Sequence, residues 1–159
     1  MPAPAGAAIR AAATPDDMQV ARGLLIEYQQ GLGVNLCFQG FDQELVALPG
    51  HYSPPRGALL LAAVSGEPAG CVGLRPHAAL DAEMKRLYVR ARFRGSGLGG
   101  ELARSAIERA RALGYRRMLL DTLASMHEAH SLYAALGFRD CVPYYDNPLA
   151  GTRFLALDL

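Results

Sequence analysis

Between Arg94 and Gly100 the chain reads Arg-Gly-Ser-Gly-Leu-Gly-Gly, and an amphipathic helix follows at once. Four glycines in so short a stretch cost backbone entropy on folding, so the loop needs a use. Glycine leaves no Cβ in the way of backbone N–H groups that converge on one anion. The start of the next helix adds unpaired N–H groups and a partial positive charge. A pyrophosphate fits such a nest, and Arg92 and Arg94 add charge nearby.

The pattern on either side places this loop. After it, Leu98, Leu102, Ala106, Ala110 and Leu113 share one helix face, with Glu101, Arg104, Glu108 and Arg111 away from it. Gly114 is a natural end for that helix. Before it, Ala58–Val64 is a nearly continuous apolar run that suits a buried strand. Ser65-Gly66 turns the chain, Ala69–Leu74 returns, and Ala82–Val89 makes a third strand of an antiparallel meander.

The N-terminal third opens with a strand at Ile9–Ala13. Thr14, Pro15, Asp16 and Asp17 then start a helix. Met18, Ala21, Leu24, Leu25 and Tyr28 continue it at helical spacing, and Gly31 and Gly33 stop it. Phe41–Leu48 is a second short helix. Downstream, Arg117–Asp121 is a strand. Ser125 with Glu128 forms a capping box for a helix running to Leu136. Phe138–Val142 and Arg153–Leu157 are the last strands. This order predicts an α/β (α+β) class: a mixed, mostly antiparallel sheet of about six to seven strands with helices on both faces. Residues 1–159 read as a single domain, with 1–6 a flexible tail.

Composition narrows the function. The chain is 51% hydrophobic and 19% charged, enough apolar matter for a core, and its formal net charge is +1. A general nucleic-acid binder is usually far more basic. No apolar run is long enough to span a bilayer, and the first residues lack a secretory pattern. Cys37, Cys71 and Cys141 form no CxxC pair, so they read as buried reduced thiols in a cytoplasmic protein rather than zinc ligands. His127 and His130 lack a third ligand nearby, and no metal is expected.

The loop alone admits three readings. One is a tight turn with no ligand. Another is a dinucleotide fingerprint: Gly95-x-Gly97-x-x-Gly100 matches it, with Asp121 about 20 residues on. That fingerprint should follow a strand directly in a βαβ unit. Here Arg90–Phe93 intervene, and the strands before look antiparallel. The third reading takes in more residues. Leu87-Tyr88-Val89 followed by Phe93-Arg94-Gly95-Ser96-Gly97-Leu98-Gly99 resembles the signature of the GCN5-related N-acetyltransferases. Ser131-Leu132-Tyr133-Ala134-Ala135-Leu136-Gly137-Phe138 is similar to a second motif of that family.

The resemblance implies an acyl-CoA N-acyltransferase fold, acetyl-CoA as cofactor and acetyl transfer to an amine. Arg94, Gly95, Ser96, Gly97, Leu98, Gly99 and Gly100 would hold the coenzyme's phosphates. Main-chain groups of Leu87, Tyr88 and Val89 would hold its pantetheine arm. Tyr133 would be the general acid, since a phenol with pKa near ~10 stays protonated at neutral pH. Glu83 is the base candidate, on the strand where several family members carry a catalytic glutamate. The rival reading pairs Glu83 with Lys85 or Arg86. Alternation places Glu83, Lys85, Leu87 and Val89 on one face.

Met126 stands where many members have an asparagine that contacts the coenzyme arm, and Ser125 or His130 is the expected replacement. The acceptor site falls on Tyr28, Gln39, Lys85 and Tyr144, with Phe38, Phe41, Glu44, Tyr145 and Asn147 in the same segments. The expected reaction is acetyl transfer to a primary amine of a small molecule or amino acid by direct attack. Its rivals are transfer to a protein lysine or N-terminus and non-catalytic coenzyme A sensing. Neither nucleic acid nor membrane is an expected partner, and family members often dimerise.

Overall fold

The computed structural model describes residues 2–159, with Phe38 as backbone only. Its strands are β1 (Ala7–Ala11), β2 (Ala58–Val64), β3 (Glu67–Pro76), β4 (Asp81–Val89), β5 (Arg117–Thr122), β6 (Arg139–Asp140) and β7 (Arg153–Asp158). The helices are α1 (Pro15–Leu32), α2 (Phe41–Ala47), α3 (Leu98–Ala112) and α4 (His127–Ala135), with short 3₁₀ turns between some of them. One seven-stranded sheet has the order β1-β2-β3-β4-β5-β7-β6. Every pairing is antiparallel except β4 with β5. The expected mixed sheet with helices on both faces is the observed one.

Both faces of the sheet are covered, which is why β2 reads as an unbroken apolar run. Ala58, Leu60 and Ala62 point into a core with Leu98, Leu102, Ala106 and Ala110 of α3. Leu59 and Leu61 point the other way, against Ala21, Leu24 and Leu25 of α1 and Phe41 of α2. The start of α1 follows the sequence signals closely. Thr14 accepts from the Asp17 amide, and the Asp17 carboxylate accepts from the Thr14 amide, so the cap closes on itself. Arg10 binds the same carboxylate at 2.6 and 2.8 Å and ties β1 to the helix.

Four expectations change. The capping box at Ser125 and Glu128 does not form: Met126 is the N-cap of α4, without a side-chain cap bond. The Met126 amide donates instead to the Leu123 carbonyl in the preceding turn. The strand expected over Phe138–Val142 shrinks to two residues, because Phe138 still bonds back to Tyr133 at the end of α4. Of the cysteines only Cys71 is buried, Cys37 being exposed and Cys141 half-buried. Leu87 and Val89 do not share a face with Glu83 and Lys85, owing to the bulge described below. No helix among the described residues is long and apolar enough to cross a membrane.

Candidate active site

The parallel ladder between β4 and β5 holds only three pairs: Asp81 with Arg117, Ala82 with Met118, and Glu83 with Leu119. Beyond them the strands part. β5 stays with β7, and β4 stays with β3. From Met84 onward β4 therefore has a bare edge toward β5, with main-chain groups that no neighbouring strand satisfies.

A bulge sits at the opening. Cys71 faces Tyr88 and Gly73 faces Lys85, so Arg86 and Leu87 together lie opposite Val72. Arg86 takes the left-handed conformation there, at φ 61°. An extra residue flips the alternation and sharpens the bend. Lys85 and Arg86 both turn toward the side of α1 and α2, where they meet Gln39 and Glu44. Leu87 and Val89 then join the core under α3.

The glycine loop lies at the end of this edge. Gly95 and Gly97 sit at φ 75° and 87°, where an L side chain is strained. A Cβ on Gly95 would meet nothing, so the loop faces open space. Among the described residues, the backbone N–H groups from Gly95 to Gly100 have no hydrogen-bond partner in the protein. That is a run of free donors at the positive end of a 15-residue helix. The loop is braced from behind, with Ser96 bonded to the Phe93 carbonyl and Arg94 Nε donating to the Val89 carbonyl at 2.8 Å. Arg92 does not join the nest: it pairs with Glu67 at 2.6 Å.

Where β4 and β5 part there is a cavity lined by Tyr28, Leu36, Gln39, Lys85, Arg86, Leu87, Asp121, Met126 and Tyr133. Tyr133 comes from α4, stacks edge-on against Phe138 and is buried, and its hydroxyl makes no hydrogen bond among the described residues. Burial pushes its pKa up, so the phenol keeps its proton. Lys85 Nζ lies 3.4 Å from Asp121 Oδ1, 3.9 Å from Glu83 Oε2 and 3.2 Å from Gln39 Oε1. Burial lowers the lysine pKa, while Asp121 and Glu83 oppose that.

Sequence reasoning placed Tyr28, Gln39, Lys85, Leu87 and Tyr133 at the site, and all five line this cavity. Glu83 and Tyr144 stand one layer behind. The Glu83 carboxylate binds Arg75 at 2.8 Å and accepts from the Tyr144 hydroxyl at 2.6 Å. Its partners are therefore Arg75 and Lys85, whereas Arg86 pairs with Glu44 at 2.9 Å. Met126 lines the cavity itself, and His130 is held 2.9 Å from the Leu123 carbonyl. The side chain of Phe38 lies outside the described residues, and Phe41 is core.

Two residues of the site were not among the expected ones, Asp121 and Arg86. Tyr145, expected in the acceptor segments, donates to Asp121 at 2.5 Å and accepts from Gln39 at 3.0 Å. A signal for Asp121 and Arg86 exists in the sequence. Arg86 and Asp121 are charges inside otherwise core-forming strands, where an unpartnered charge is too costly to keep.

A sheet split along its one parallel pair, with a bare strand edge running to a nest of free amides, defines the acyl-CoA N-acyltransferase fold. The model of the acetyltransferase (GNAT) family matches residues 30–138. An uncharacterized N-acetyltransferase of Schizosaccharomyces pombe is 38% identical over 158 residues, covering 98% of this chain and 97% of that protein. N-acetylaspartate synthetase of Rattus norvegicus is 36% identical over 90 residues, 56% of this chain and 30% of that protein. The chain belongs to the GNAT acetyltransferase family and is an acyltransferase. Solved structures agree in fold. An acetyltransferase from Streptococcus agalactiae superposes at TM-score 0.80 with 21% identity, covering 98% of this chain and 99% of that one. A GNAT family acetyltransferase from Elizabethkingia anophelis, solved with acetyl-CoA bound, superposes at 0.67 with 22% identity, covering 98% and 100%.

Proposed function

We propose that this cleft moves an acetyl group from acetyl-CoA to the primary amine of a small molecule, with Tyr133 as proton donor. The run of free amides from Gly95 to Gly100, joined to the bare edge of β4, carries the reading. A diphosphate suits the amides, and a chain of amide groups suits the strand edge at Leu87, Tyr88 and Val89. The Elizabethkingia protein binds acetyl-CoA on the same fold. When bound, acetyl-CoA supplies an activated acyl thioester and a thiol leaving group.

The residues of this chain then divide the proton work. With acetyl-CoA bound, the amine nitrogen would bond to the acyl carbon as the carbon–sulfur bond breaks. Tyr133, whose unpartnered hydroxyl belongs to the cavity wall, would give its proton to the departing sulfur. Asp121, on the facing wall, takes the surplus proton from the nitrogen. An acceptor that arrives as an ammonium first loses one proton to Glu83, behind Lys85, through a water that the carboxylate polarises. Two protons leave the nitrogen in all and one reaches the sulfur, so one is released to solvent as Tyr133, Asp121 and Glu83 are restored.

Two observations favour a small acceptor over a protein. Gln39, which lines the cavity, is tied to Tyr145, 106 positions on, by a 3.0 Å hydrogen bond, so the C-terminal loop backs the cavity wall. The N-acetylaspartate synthetase relative carries a small acetylated amine in its name. The test is thiol release from acetyl-CoA with amino acids, polyamines, aminoglycosides and lysine peptides, with mass spectrometry of the product. Small amines gain one acetyl group and peptides do not. Acetylated peptides with silent small amines would reverse the assignment. Acetyl-CoA at 100 times its Kd also stabilises the fold by about 2.7 kcal/mol, and an unmoved thermal midpoint would remove the cofactor.

A further inference from the structure

Lys85 and Arg86 are neighbours in sequence that reach a single point. Regular alternation would send them to opposite faces of the sheet. The bulge at Arg86 turns both toward the cavity instead. Their side chains are 4% and 2% exposed. Lys85 Nζ stands 3.2 Å, and Arg86 Nη1 2.7 Å, from the same atom, Gln39 Oε1. That oxygen belongs to an uncharged amide.

The remaining partners are already placed. Arg86 turns its Nε and Nη2 to Glu44, which leaves the Nη1 corner for the cavity. Lys85 has Asp121 to one side at 3.4 Å and Glu83 at 3.9 Å. Two buried cations thus converge on a neutral acceptor, although a carboxylate would offer each of them an oxygen and a stronger, charge-assisted bond. Asp121 lines the same cavity within reach of a cation.

We propose that Lys85 and Arg86 are the carboxylate subsite of the acceptor, and that the acceptor is an α-amino acid. Its carboxylate takes the position of Gln39 Oε1 between the two cations, and its amine lies against Asp121. Gln39 Oε1 occupies that position in the structure. The zwitterion adds no net charge to the cavity, so its burial leaves no ion unpaired. This inference rests on the acetyl-transfer reading above and names its substrate class.

The test compares each common L-amino acid with its α-carboxamide and its decarboxylated amine, at saturating acetyl-CoA. The acid is favoured in kcat/KM by about 100-fold or more, as expected of a site built around a group its competitors lack. Gln39→Glu puts a resident carboxylate between the cations, and Lys85→Met removes one of them. Each lowers that preference at least about tenfold, chiefly through KM, the equivalent of one lost polar contact. The acetyl-CoA thermal shift of each variant reports that it is folded. Equal turnover of acid, amide and amine would overturn the subsite and leave acetyl transfer standing. So would an acid preference that both variants keep. Silence toward every small amine, with acetyl-CoA still bound, would remove both readings.

Discussion

Arg86 shows how much one residue can hold in this protein. It occupies a left-handed conformation that costs an L residue roughly 1–2 kcal/mol, and it is buried with Glu44 in a two-point ion pair. The pair anchors α2 to the bulge. Arg86→Ala leaves the largely buried Glu44 carboxylate without its partner, and the cost is about 3 kcal/mol, read as a fall in the urea midpoint. A change under about 0.5 kcal/mol would mean the pair is idle.

Lys85 gives a prediction in pH. Burial lowers its pKa from 10.5. The charged form is the one that grips an acceptor carboxylate, so kcat/KM for the acceptor falls as pH rises through that lowered value. Lys85→Arg, with a side chain that stays charged, removes this alkaline limb. Tyr133 shifts the opposite way, so its proton is still in place where Lys85 has lost one. A limb that persists in Lys85→Arg would place the titration elsewhere.

At the scale of elements, regular pieces were legible and irregular ones were not. The apolar run Ala58–Val64 matches β2 residue for residue, because burial on both faces leaves no other pattern. The Thr14 cap reads directly, since its partners lie within four positions. The bulge in β4 was invisible, because an extra residue shows only against the register of β3. That is why alternation misplaced Leu87 and Val89 and hid Arg86. The glycine loop was legible as a nest, and its conformation carries a further prediction. Gly97 is the N-cap of α3 at φ 87°. Gly97→Ala strains that turn by about 1–2 kcal/mol and weakens acetyl-CoA about tenfold in a calorimetric titration. An unchanged Kd would show that the free amides do not bind the coenzyme.

At the scale of the whole molecule, the decisive feature is a single parallel pair in an otherwise antiparallel sheet. Three residue pairs hold the two halves together, and everything beyond them opens. Into that opening come Tyr28 and Gln39 from the N-terminal segments, Lys85 from β4, Asp121 from β5 and Tyr133 from α4. No local pattern in the sequence could announce the meeting of Gln39 with Tyr145, and none could show that Asp121 faces Lys85. Those contacts depend on where the sheet splits. Family motifs supplied Tyr133, the loop and the segments that hold Tyr28 and Gln39, while Arg86 and Asp121 came from the fold. The most direct test of the whole account is the kcat of Tyr133→Phe with both substrates saturating. Removing the hydroxyl alone lowers kcat about 100-fold or more, with the KM for acetyl-CoA within about threefold. A kcat equal to that of the unaltered enzyme would contradict the claim that the opened sheet is the site of acetyl transfer with Tyr133 as its acid.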